Sequence, residues 1–230
     1  GLGGSLFPDP GIASGDRHAA DFIVDAAREH SGELTLVCIA PLTNVALALR
    51  KEPDLGDLLD SVWVMGGNVN CLGNVTPAAE YNFWVDPDAA KVVLNELDVT
   101  LFDWGLTLRD TTFDSDTLAR IDAIDTAYAD FYAEITTQVR SFNRESLGTD
   151  TTTQPDSAVV AGLIDPDLIE ESHTYHVDVD EREGLTRGYT AVDENGVGDG
   201  DPRTEVVKSI DAAGFRELFV RMLAEGSPDP

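Results

Sequence analysis

Three short runs, LTLVCI at residues 34–39, VWVM at 62–65 and VTLF at 99–102, are apolar at nearly every position instead of every second one. A strand with one wet face alternates; a strand covered on both faces does not. These runs therefore call for a sheet buried between two layers. The segments between them have helical spacing. Residues 16–30 put Ala19, Phe22, Ile23, Ala26 and Ala27 on one face, and helices are also predicted over 44–50 and 87–95. Strand alternating with helix implies right-handed crossover units and a mostly parallel sheet. Gly66-Gly67 breaks the second run. Further helices are predicted over 115–124, 127–143, 157–163 and 211–224, the last capped by Asp211. Residues 174–179 and 186–192 alternate like an antiparallel pair, and DENGVGDGDP at 193–202 reads as charged loop. The expectation is one α/β domain over residues 1–230: a mostly parallel, Rossmann-like open sheet with flanking helices and a late antiparallel pair.

Charge excludes some partners. The 43 acidic residues against 15 basic ones give a formal net charge of −28. Such a field repels nucleic acid and anionic membranes, which bind through basic surface. No apolar run approaches the length of a membrane span. The acidic surface fits a protein kept soluble in a salt-rich cytoplasm, which is the expected location. Cys38 and Cys71 show no zinc-type spacing, and neither do His18, His30, His173 and His176. Tyr128, Phe131 and Tyr132, in the helix predicted over 127–143, read as helix packing.

Ligands bind parallel sheets at the carboxyl ends of the strands. There the chain places Thr43, just after the first run, and the stretch GNVTPAAEYNFWVDP at 73–87, read as a loop shortly after the second. That stretch gathers Asn74, Glu80 and Asn82, with Tyr81 and Trp84 beside them. Amides and a carboxylate together can both donate to and accept from the hydroxyls of a polyhydroxy ligand. The same residue types also cap the turns of ordinary loops.

Five blocks occur in order: APLTNVALAL, VMGGNVN, GNVTPAAEYNFWVDPDAAKVV, PDSAVVAGLIDP and GLTRGYTAVD. Together they resemble the inosine/uridine-preferring nucleoside hydrolase family, calcium-dependent enzymes that cleave the N-glycosidic bond of ribonucleosides. The likeness runs through nearly the whole chain. It implies that Asn74, Glu80 and Asn82 bind ribose hydroxyls, with Tyr81 where the family usually has Phe. By the same resemblance Met65 lies under the sugar, Thr43 gives calcium its main-chain carbonyl, and Asp156 binds calcium and touches the ribose. Asn82 and Asp156 are the catalytic candidates. Calcium prefers oxygen ligands, and oxygens fixed around the ring favour the oxocarbenium-like transition state of glycosidic cleavage. A small-molecule ribonucleoside is the implied partner, and a homo-oligomer, dimer or tetramer, the implied assembly.

Two departures stand out. The family's Asp-rich DxDPGxDD motif, which supplies two more calcium ligands, is not in this sequence. GLGGSLFPDP matches a stretch well inside the family's chain, so the expectation is a domain lacking its N-terminal strand-loop segment. Many members also have His directly before the carboxylate matched by Asp156, where it serves the leaving base. This chain has Pro155, which cannot donate a proton. The alternative to a hydrolase is a non-catalytic nucleoside- or sugar-binding relative, or an inactive fragment.

Overall fold

The three apolar runs form adjacent parallel strands. The computed structural model describes residues 5, 7 and 11–225. Helix α1 (Ala19–Glu29) leads to β1 (Thr35–Cys38), and α2 (Thr43–Lys51) with the short α3 (Leu55–Leu58) returns the chain to β2 (Ser61–Met65). Next come α4 (Tyr81–Val85), α5 (Pro87–Glu96) and β3 (Val99–Phe102). Then follow α6 (Trp104–Asp110), β4 (Thr112–Phe113), α7 (Ser115–Asp122), α8 (Ala127–Leu147), β5 (Thr152–Thr153) and α9 (Pro155–Ile164). The last third holds β6 (Ile169–Tyr175), β7 (Val177–Val179), β8 (Thr190–Val192), β9 (Thr204–Ile210) and α10 (Ala212–Glu225).

The main sheet has the order β1-β2-β3-β9-β6. Its first four strands are parallel, and β6 closes it antiparallel to β9. The expected mostly parallel sheet is therefore present. The late strands divide differently from the sequence expectation. Residues 174–179 split between β6 and β7: β6 belongs to the main sheet, and only β7 pairs with β8 as the antiparallel excursion. Strand β9, which the sequence reading does not predict, lies between β3 and β6 in the main sheet.

Side-chain alternation along the strands fills two cores. Val62, Val64, Val99 and Leu101 face α1, α2 and α5, where Val24, Leu49 and Val93 are buried. Met65, Phe102 and Val207 face the other layer with Leu106, Val159 and Phe215. Gly162 lets α9 lie close on the sheet, since a Cβ there would stand 2.7 Å from Phe102 Cζ.

Polar caps fix where the helices start. His18 Nδ1 accepts from the Ala20 N–H at 3.1 Å, so α1 starts after His18 and not at residue 16. Asp86 caps α5 ahead of Pro87, Asp114 caps α7, and Thr126 caps α8, which ends on left-handed Gly148 at φ 71°. Asp211 accepts from the Ala213 and Gly214 N–H groups as expected.

Candidate functional site

Cys38, Met65 and Phe102 end the first three strands at one rim of the sheet. The chain leaving Met65 builds most of the candidate site. Residues 73–79 form a tight turn in which Gly73 N–H donates to the Pro77 carbonyl. Only glycine fits at 73, because a Cβ would stand 2.0 Å from the Ala79 carbonyl oxygen. The sequence predicts loop through residue 87; instead α4 begins at Tyr81, a helix too short to show apolar periodicity.

Glu80 caps that helix and is 2% exposed. Its Oε1 accepts from Asn82 N–H at 2.8 Å, and its Oε2 accepts from Gly67 N–H at 2.9 Å and Phe83 N–H at 3.4 Å. Asn82 Nδ2 donates to the Met65 carbonyl at 3.1 Å and lies 3.5 Å from Met65 Sδ. Asn74 Oδ1 accepts from Tyr81 N–H at 2.9 Å. Met65, Glu80 and Asn82 are thus joined directly, and Asn74 is tied to them through the backbone of α4. Asn82 Oδ1 and Asn74 Nδ2 have no protein partner among the described residues, so one acceptor and one donor remain for a ligand. Tyr81 is half exposed.

Asp156 comes from the opposite layer. Gln154 N–H donates to the Thr111 carbonyl at 3.2 Å, and Pro155 takes the first position of α9, so Asp156 enters in the first turn. It opens on an apolar cleft of about 740 Å³ with Ile39, Tyr128, Val160 and Phe219 among its walls. Met65, Asn74, Glu80 and Asn82 do not line that cleft. Asp156 reaches solvent there, yet the surrounding protein pushes its carboxyl above the usual range. Burial raises Glu80 too, against three N–H donors that favour its charged form, and the nearby Asp156 charge pushes it the same way.

Thr43 stands apart in its side chain. It opens α2, and its hydroxyl donates to Asp86, the cap of α5. Asp156 and the Thr43 carbonyl are oxygens of the kind calcium takes. Calcium needs about six to eight such ligands, and no group of three or more His, Cys, Asp or Glu is placed to hold a metal among the described residues. These residues do not compose a calcium site by themselves.

Three residues of the site escape sequence reasoning. Asn68 is buried; its Oδ1 accepts from Glu80 N–H at 3.2 Å, and its Nδ2 donates to the Cys71 carbonyl at 3.0 Å. Thr190 Oγ1 accepts from Asn68 N–H at 3.1 Å. Asp103 Oδ1 accepts from Val69 N–H at 3.1 Å and also caps α6. Asp103 had a readable signal, a carboxylate between an apolar run and a helix; the other two did not.

The sequence profile described as inosine-uridine preferring nucleoside hydrolase matches residues 1–217. The chain belongs to this family. A pyrimidine-specific ribonucleoside hydrolase, RihA, of Shewanella woodyi is 31% identical over 225 residues, 97% of this chain and 71% of that protein. A purine-preferring ribonucleoside hydrolase from Gardnerella vaginalis superposes with a TM-score of 0.86 at 27% identity, covering 97% of this chain and 71% of the other. A plant nucleoside hydrolase shares the fold, with a TM-score of 0.90 at 24% identity over 98% of this chain and 72% of its own. In this member of the nucleoside hydrolase family Pro155, and not a histidine, stands directly before Asp156. His18 caps α1, His30 approaches Glu33, and His173 pairs with Glu171.

Proposed function

We propose that this chain hydrolyses the N-glycosidic bond of a ribonucleoside to free base and ribose. Membership of the nucleoside hydrolase family supports the reaction class, and the joining of Glu80, Asn82 and Met65 at the rim of the sheet is the observation that carries the site. In this reading Asn74, Glu80 and Asn82 hold the ribose hydroxyls over Met65, with Tyr81 beside the ring. Asn82 Oδ1 and the Asp156 carboxylate are the acceptors turned to the sugar. As the base departs, the ribose ring gathers positive charge. Fixed oxygens favour that state over the neutral substrate because they need no reorganisation when the charge develops. Pro155 gives the leaving base no proton, so its departure falls to solvent, to another group, or to stacking of the base.

Calcium is the metal that the resemblance implies. The finer proposal is that Asp156 and the Thr43 carbonyl supply two of its oxygens, the rest coming from beyond the described residues. The shortage of ligands favours a second reading, a protein that binds ribose or nucleoside without cleaving it. Base release from inosine and from uridine, with added calcium and with chelator, separates the two. Hydrolysis predicts release that Asn82→Ala lowers by about 100-fold or more, the scale of losing one transition-state acceptor. Ribose binding without release from either nucleoside would establish the second reading.

A further inference from the structure

Three consecutive backbone amides beneath the site are each held by a side chain from a different element. Gly67 N–H goes to Glu80 Oε2 at 2.9 Å, Asn68 N–H to Thr190 Oγ1 at 3.1 Å, and Val69 N–H to Asp103 Oδ1 at 3.1 Å. Asn68 then returns through its own Oδ1 to Glu80 N–H at 3.2 Å. Gly67 has φ 70°, and a Cβ on it would stand 2.5 Å from Thr190 Oγ1, so the hydroxyl is seated directly against the turn. Thr190 is 3% exposed and arrives on β8 from more than a hundred residues downstream. Beside it, Gly188 at φ 78° lets the same hairpin lie on α4, because a Cβ there would stand 2.7 Å from Trp84 Cα.

Glu80 has little freedom of its own. It is buried, and its carboxylate is held by two N–H groups of its own helix, Asn82 and Phe83, and by one from outside it, Gly67. That amide sits in a turn whose next amide is fixed by a hydroxyl from the hairpin. We propose that Thr190 is a positioning residue: through the Asn68 amide it sets the Gly67 amide, and so aims the Glu80 carboxylate at the ribose. The proposal rests on the reading of Glu80 as a sugar ligand. Its structural half, that Thr190 sets the Gly67 amide, does not.

The test compares Thr190→Val, which keeps the shape but removes the acceptor, with Thr190→Ser, which keeps the acceptor. Amide hydrogen exchange by NMR reads the junction, and steady-state kinetics on inosine and uridine read the reaction. In Thr190→Val the Gly67 and Asn68 amides should exchange about tenfold faster or more, the effect of losing one buried hydrogen bond. KM should rise about tenfold with kcat kept within about threefold, the signature of weakened uniform binding. Thr190→Ser should restore both. Unchanged exchange at Gly67 in Thr190→Val overturns the proposal, and so does raised exchange with unchanged KM. Should Thr190→Val not fold, wild-type exchange in graded denaturant decides. Gly67 and Asn68 must then open together with the β8 amides, and independent opening overturns the proposal. A wild type that releases no base removes the nucleoside reading, while the exchange arms still decide whether Thr190 holds the turn.

Discussion

Asp103 places a carboxyl where water hardly reaches, and its Oδ1 takes all three of its backbone N–H bonds, from Val69, Gly105 and Leu106. Burial raises its pKa above the usual carboxylate value despite those bonds and the Arg109 charge. A carboxyl whose pKa is raised on folding favours the native state below the unfolded value of about 3.9 and loses that contribution as pH climbs through the folded value. Asp103→Asn keeps the accepting oxygen and removes the charge. Its Tm relative to wild type should therefore become more favourable as pH rises above about 3.9, a trend thermal melts across a pH series would show or refute. The same sign governs activity. Glu80 and Asp156 are both raised by burial, and both act as anions in the proposed site. The acid limb of kcat/KM should lie above the ordinary carboxylate range of about 3.9–4.3. A limb at or below that range would separate these two groups from the reaction.

At the scale of elements, the packing of α8 makes a sharp prediction. Arg140 is largely buried. It bonds Asp122 through two nitrogens and Asp150 through two, holding α7 and the chain after α8 to one guanidinium. Arg140→Met should cost roughly 1–3 kcal/mol, the range for charged hydrogen bonds at partly buried positions, measured by urea unfolding. Elements differ in how far the sequence reveals them, for the same physical reasons. β1, β2 and β3 are legible because strands covered on both faces must be apolar throughout. β9, TEVVKSI, is covered as well, yet its polar residues and the charged loop before it hide the pattern. α4 is hidden because its start is specified by the Glu80 cap and not by periodicity. In the site, residues of one contiguous stretch were legible: Asn74, Glu80 and Asn82. Thr190 and Asn68 were not, because nothing local tells a threonine on a strand that it will meet a turn more than a hundred residues earlier.

The whole molecule carries a net charge of −28, and its ion pairs are mostly exposed, such as Arg17–Asp25 and Arg120–Glu217. Exposed pairs contribute about 0–1 kcal/mol each, too little to offset self-repulsion on that scale. Screening weakens repulsion between charges farther apart than about 10 Å at 0.1 M salt and about 3 Å at 1 M. Tm should rise steadily from 0.1 M to 2 M KCl; a flat or falling curve would mean the acidic surface is not limiting stability. No helix among the described residues is long and apolar enough to cross a membrane. The candidate groups come from different elements: β2 leads through Met65 into the 73–87 stretch, packed in one core through Phe83, while Asp156 enters on α9, packed in the other core.

The central claim is that oxygens at the rim of the sheet hold a ribose as it becomes cationic. The rate of base release from inosine and uridine, wild type against Asn82→Ala under identical calcium, tests it most directly. The account predicts measurable release by wild type and a loss of about 100-fold or more in the variant, with thermal stability lowered by much less than would unfold it. Equal rates for the two proteins, or no release by wild type from either nucleoside, would contradict it.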